Sequence, residues 1–173
     1  MTRSDALGLI LAIGLGIALL AGAGVAAVYA WEESANGKKW APALAAAEKK
    51  YGLPPGLLSR QAYEESGFQT DVINGTEPSS AGALGILQLM PQYYPQVNVP
   101  VPFTDADVLA QIDAAAATDA ANYQTFGSWP LALAAYNAGA GAVQASGGNL
   151  SLLPQQTQNY VAQITADVPA ALA

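Results

Sequence analysis

The sequence predicts a mainly α protein, on three observations. Apolar residues recur at three- and four-residue spacing, Gly, Pro and capping residues interrupt the chain at helix-length intervals, and no run alternates convincingly as a strand. Of 173 residues, 52% are hydrophobic and 11% charged. The part beyond the amino-terminal apolar stretch is long enough to bury its own core without disulfides.

In chain order, residues 1–5 form a short tail and residues 6–30 run for 25 positions without a charge. As a helix this stretch would be about 37 Å long, enough to cross a hydrocarbon layer of ~30 Å with some tilt. A retained transmembrane or signal-anchor helix is expected. Ala and Gly make up 13 of its residues, so it is only weakly hydrophobic. Gly8, Ala12 and Gly16 fall four apart, a spacing that permits helix–helix contact in the membrane and also arises by chance in Ala/Gly-rich helices. Val28-Tyr29-Ala30 fits a small-x-small cleavage site, the alternative to retention. Basic residues flank the span on both sides and give no orientation. Residues 31–40 read as a polar linker, with Trp31 at the headgroup level, and residues 41–173 as a single domain.

Within that domain the first helix is expected with Pro42 in its opening turn and an end at Gly52. Pro54-Pro55 open a second helix, which ends at Ser66-Gly67. A polar stretch over 69–80 turns at Asn74-Gly75, and after GALGILQLMP a Pro-rich passage reaches Pro102. Thr104, with Asp107 three residues on, caps a long helix to Phe126. Ser128 and Pro130 start another, closed by Gly139. Residues 139–148 read as a flexible loop. A last amphipathic helix runs from Pro154 to about Val168, with Leu153, Thr157, Tyr160, Val161 and Ile164 on one side.

The residue inventory narrows the chemistry. With no His and no Cys there is no imidazole base, no Ser-His-Asp or Cys-His system and no ordinary zinc or iron–sulfur site. No metal and no cofactor are expected, and acid–base work falls to carboxylates, Tyr or Lys. All six basic residues lie at or before Arg60, and nine acids follow it. Such a segment cannot neutralise a phosphate backbone, which argues against nucleic acid as a partner.

Glu64-Glu65, at the end of the second helix, is the best candidate for chemistry. Glu64 lies four residues after Arg60 and can pair with it, whereas Glu65 lies about 100° round, above Leu58 and Ala62. Burial on an apolar strip, the negative end of the helix dipole and the lack of any later cation all push the pKa of Glu65 upward. A carboxyl group kept protonated near neutrality suits a general acid. The plain alternative is an exposed Glu-Glu pair at a helix end.

Four ordered segments, KKYGLPPGLLSRQAYEESGF, GALGILQLMP, LALAAYNAG and QTQNYV, resemble the soluble lytic transglycosylase family, the peptidoglycan-cleaving branch of the lysozyme-like enzymes. The resemblance spans Trp40 to Ile164 and implies a lysozyme-like helical domain with a cleft. It also implies that Glu65 is the catalytic acid and base, and that Ser66, Gln88, Tyr136, Asn137 and Tyr160 contact substrate. Tyr160 would equally serve as core, since it falls on the apolar stripe of its helix. The implied reaction uses one carboxyl group. It protonates the bond between N-acetylmuramic acid and N-acetylglucosamine, then acts as base while the muramoyl 6-hydroxyl closes a 1,6-anhydro ring.

The expected partners are therefore peptidoglycan strands and, through residues 6–30, a bacterial inner membrane. The expected place is a single-pass inner-membrane protein with its domain in the periplasm, as a monomer. A phage endolysin released from the membrane is the favoured role. A wall-opening enzyme of secretion, pilus or virion machinery, a muramidase-type hydrolase and a non-catalytic wall-binding protein are the alternatives. The chain departs from the family pattern in a longer stretch between Glu65 and Gly85, in Gln156 where a Glu is typical, and in Asp119, which falls on an apolar helix face.

Overall fold

The computed structural model describes residues 29–172. The expected tail and all but the last two residues of the expected membrane helix lie outside the described residues. Among the described residues, no helix is long and apolar enough to cross a membrane. Seven α-helices are found there: α1 (Ala35–Tyr51), α2 (Leu57–Ser66), α3 (Thr70–Ile73), α4 (Asp105–Phe126), α5 (Trp129–Ala138), α6 (Ala140–Ala145) and α7 (Gln155–Asp167). No strand forms among them beyond an isolated antiparallel bridge, Leu84 to Leu89.

The helix α5 is the hub of the packing. Ala132, Leu133, Ala134 and Ala135 are buried in succession, which requires neighbours on every side, and α4, α6 and α7 supply them. The three alanines let those helices approach closely. Around this hub α4 buries Val108, Ile112, Ala115 and Ala116, and α7 buries Tyr160, Val161 and Ile164. The capping signals set the ends of α4 as expected: Thr104 accepts from the Asp107 N–H, Asp107 accepts from the Thr104 N–H, and Gly127 stops the helix at φ 67°.

Three expectations about local structure are corrected. First, residues 31–40 are not a linker. Ser34 caps α1 by accepting from the Gly37 N–H at 2.9 Å, so the helix starts at Ala35 and Pro42 lies in its interior rather than in its opening turn. Trp31 and Trp40 are buried, and Trp31 donates its indole N–H to Ser59 Oγ at 2.9 Å rather than facing a headgroup layer. Even Tyr29, the penultimate residue of the expected span, packs in the domain, with its ring so close to Gly56 that a Cβ there would lie 2.6 Å from it. Second, α3 adds a single helical turn inside the polar stretch over 69–80, where only the turn at Asn74-Gly75 was expected. Third, residues 139–148 contain α6, because the fully buried Val143 anchors an Ala-rich turn that Gly alone would have left loose.

The feature that matters most for the site is how α2 begins. Its N-cap is Gly56 at φ 85°, with no side chain to cap the helix. Glu48 of α1 does this instead, accepting from the Gly56 N–H at 2.8 Å and the Ser59 N–H at 3.1 Å. Glu32 is buried beside it and accepts from the Ser59 hydroxyl. Burial pushes Glu48 up to about 7, against the pull of its backbone donors. Between the ordinary carboxylate range and about 7 the folded chain therefore holds a proton that the unfolded chain releases, so stability falls as pH rises through that window and levels off above it. The thermal midpoint is expected to drop from about pH 5 to about pH 8, and Glu48→Gln, although less stable overall, should flatten the drop. An unchanged slope in that variant would refute this assignment.

Candidate active site

The end of α2 is built so that the chain turns away sharply after one carboxyl group. Gly67 and Phe68 both take left-handed conformations, at φ 56° and 51°. The Gly67 N–H bonds the Tyr63 carbonyl at 2.8 Å, and the Phe68 carbonyl accepts from the Asn36 amide at 2.9 Å. A non-glycine residue in this region is strained, and the buried Phe68 ring holds it there. Ser66, expected to meet substrate, has its hydroxyl turned into the chain, where it donates to the Ala62 carbonyl at 2.8 Å.

Glu65 is half-buried one residue earlier, facing α7. The Tyr160 hydroxyl donates to Glu65 Oε1 at 2.7 Å. Burial pushes the Glu65 carboxyl up to about 7; the Tyr160 hydrogen bond pulls it down, and the neighbouring Glu64 charge raises it. Glu64 itself pairs with Arg60 at 2.8 Å, so the two adjacent carboxyl groups differ in environment as the sequence suggested. A fully buried residue of α4, Asp119, lies behind them. Burial holds its carboxyl well above the ordinary range, with a smaller lowering by Gln61 and a further raising by the Glu65 charge. Neither of its oxygens has a hydrogen-bond partner of good geometry. This residue was already anomalous in the sequence, an acid on an apolar face; the structure puts it under the groove rather than in its wall.

Two depressions meet at Glu65 and a third adjoins both. One, of about 440 Å3, lies between the end of α2 and the 69–79 segment, with Gln88 in its wall. A second, of about 470 Å3, runs along α7 past Asn137, Tyr160 and Gln163. A third, of about 450 Å3, holds Gln88, Tyr93, Tyr94, Tyr136 and Asn137. Shared walls join them: Glu64 and Glu65 between the first two, Gln88 between the first and third, Asn137 between the second and third. Four of the five expected substrate contacts, Gln88, Tyr136, Asn137 and Tyr160, are thus brought to one branched groove with Glu65, while the Ser66 hydroxyl faces inward.

The supports of these side chains define what each can offer. Gln88 sits at φ 48° and its amide donates to the Gly85 carbonyl at 3.0 Å, a tight loop in which Gly85 takes φ 81° and a Cβ there would also fall 2.0 Å from Gln111 Oε1. The Tyr136 hydroxyl donates to the Leu87 carbonyl at 2.7 Å and so ties α5 to that loop. Asn137 Oδ1 accepts from the Thr157 hydroxyl at 2.8 Å, which leaves the Asn137 amide hydrogens for a ligand. Thr157 was read only as part of the apolar side of its helix and Gln163 was not singled out; their signal as site residues was position, three residues either side of Tyr160 on α7. Among the described residues, no cluster of three or more acidic side chains could hold a metal ion.

Comparison with known proteins agrees with this geometry. The family model of the transglycosylase SLT domain matches residues 42–158. An inactive Glu-to-Gln mutant of the lytic transglycosylase Slt from Pseudomonas aeruginosa superimposes with a TM-score of 0.58 at 24% identity, covering 73% of this chain and 23% of its own. The 70 kDa soluble lytic transglycosylase from Escherichia coli does so with a TM-score of 0.59 at 22% identity, covering 83% of this chain and 29% of its own. At these identities the structures show a shared fold, and this chain spans less than a third of the length of either. The matched segment takes in α2 with Glu65, the 82–91 loop, α5 and the first turn of α7, and the chain belongs to the transglycosylase SLT domain family.

Proposed function

We propose that the domain is a peptidoglycan lytic transglycosylase, cleaving the β-1,4 bond between N-acetylmuramic acid and N-acetylglucosamine with formation of 1,6-anhydro ends. The observation that carries this reading is a carboxyl group pushed up to about 7 at the junction of a branched groove and held by one phenol. A proton on Glu65 is available near neutrality for the leaving oxygen. Once it is given up, the Tyr160 hydroxyl stabilises the carboxylate, which then takes the proton of the attacking 6-hydroxyl. An intramolecular nucleophile makes a second carboxylate unnecessary.

The acids around the groove support the one-carboxylate route over hydrolysis. A hydrolase needs a second carboxylate, to activate water or to attack directly. Glu64 is paired with Arg60, Asp119 is fully buried away from any ligand, and Glu77 lies exposed on the far wall. The groove floor offers amides and phenols rather than charge, which suits sugar hydroxyl and acetamido groups.

We place the domain outside the inner membrane, tethered through the part of the 6–30 stretch that precedes Tyr29, in a phage-encoded lysis role. The weak hydrophobicity of that span supports a helix able to leave the bilayer. On collapse of the membrane potential, fractionation is expected to find the intact protein moving from membrane to periplasm; a protein that stays in the membrane would favour the wall-opening role.

Two variants test the chemistry. Glu65→Gln should keep its thermal midpoint near that of the wild type and lose about 10³-fold or more of the cleavage of purified peptidoglycan. Wild-type products should carry anhydro ends, and reducing ends would instead mark a hydrolase. Tyr160→Phe removes the contact that lowers the Glu65 pKa, so the alkaline fall of the rate should move above about pH 7 and the maximal rate should decrease. A profile that does not move would show that this hydrogen bond is not made in the working enzyme.

A further inference from the structure

Arg60 is the last basic residue of the chain, and it is buried. Its guanidinium binds two carboxylates at once, with Nη1 donating to Glu64 Oε2 at 2.8 Å and Nε donating to Asp167 Oδ2 at 2.7 Å. Its flat faces lie near aromatic rings, 5.9 Å from Trp31 and 5.4 Å from Tyr63. Glu64 is in the last turn of α2 and Asp167 is the final residue of α7, so two helix ends of negative polarity, each with its own carboxylate, converge on one cation. One turn before Asp167, the Gln163 amide, oriented with its nitrogen toward Glu64, stands 2.6 Å from Oε1.

We propose that Arg60 is a positioning residue for Glu65: by clamping Glu64 and Asp167 together it screens the carboxylate beside the acid and locks α7, with Tyr160, against α2. This rests on the reading of Glu65 as acid and base. The titratable groups facing Glu65 are Glu64 from α2, Asp119 from α4, Tyr136 from α5 and Tyr160 from α7. Both phenols are held far above their ordinary range, and Asp119 is raised further by the Glu65 charge itself. The two phenols stay neutral while Glu65 titrates, and Glu64 is the acid whose charge raises it. Glu64 is the charged neighbour, and Arg60 is its counter-ion. Because Arg60 is buried, it is not interchangeable with solvent cations.

The experiment is an NMR titration of the Glu65 side-chain carboxyl in selectively labelled protein. It reads the site directly and needs no turnover, so a failure to cleave peptidoglycan would sink the enzyme reading and leave this one standing. Arg60→Met exposes Glu65 to an unscreened Glu64 and should move its midpoint up by about one unit. Glu64→Gln should move it down, the double variant should titrate near the Glu64→Gln value, and Arg60→Lys should return it toward the wild type by restoring one charge. A folded Arg60→Met protein with an unmoved Glu65 midpoint overturns the proposal. Breaking a buried ion pair is strongly destabilising; if Arg60→Met does not fold, Glu64→Gln decides alone, because it leaves Arg60 bound to Asp167, and an unchanged midpoint there overturns the proposal equally.

Discussion

The groove depends on one constraint: the Glu65 carboxyl must be kept out of water on the protein side while open to a ligand on the other. Desolvation is the largest influence on it, and desolvation requires walls. α2 delivers the carboxyl, α7 covers it with Tyr160, α5 backs both, and α4 closes the space beneath. Loosening any of these admits water, and the carboxyl returns toward its ordinary range.

This makes the fixing of α2 more important than its ten residues suggest. So short a helix has little intrinsic stability and is held from outside at both ends. At its start the Glu48 carboxyl from α1 takes the place of an N-cap. Along its length the Arg60 link to Asp167 binds it to α7, and at its end the left-handed Gly67-Phe68 pair turns the chain away. Trp31 touches both supports, through Ser59 on one side and the Arg60 guanidinium on the other. The segment just after the apolar stretch is therefore part of the scaffold of the candidate acid, and a tether acting on residues 6–28 would pull on Tyr29–Glu32 before it reached any other element.

What was legible in the sequence was local. The Thr104–Asp107 box, the Gly52, Gly67 and Gly139 stops and the difference between Glu64 and Glu65 each follow from contacts within about one helical turn. What was missed is long-range. Glu48 reads as a surface acid on a charged helix face until Gly56 is folded back onto it, Asp167 gives no hint that it lies against Arg60, and Ser34 lies in a stretch that reads as polar linker ahead of Pro42. Ser66 was assigned outward by its family motif, yet a Ser in the last turn can reach the carbonyl four residues back, and it does so here.

The core beneath the groove is also the least comfortable part of the fold. Gln61, Gln111 and Asp119 are fully buried, and their side-chain polar atoms lack partners of good geometry. Each such group costs about 1–3 kcal/mol, and an apolar residue of similar volume would pack there at no such cost. They are not scattered: Asp119 and Gln61 lie behind Glu65, and Gln111 lies against Gly85 in the loop that presents Gln88. By contrast, the buried faces of α5 are wholly apolar. Polarity concentrated behind the groove lowers the stability of the walls that hold the acid, whereas a purely hydrocarbon setting around a carboxyl group would keep it neutral far above neutrality and useless as a base. A carboxyl near 7 needs a setting between water and oil, and the Tyr160 hydroxyl supplies the polar part of it by bonding Glu65 directly.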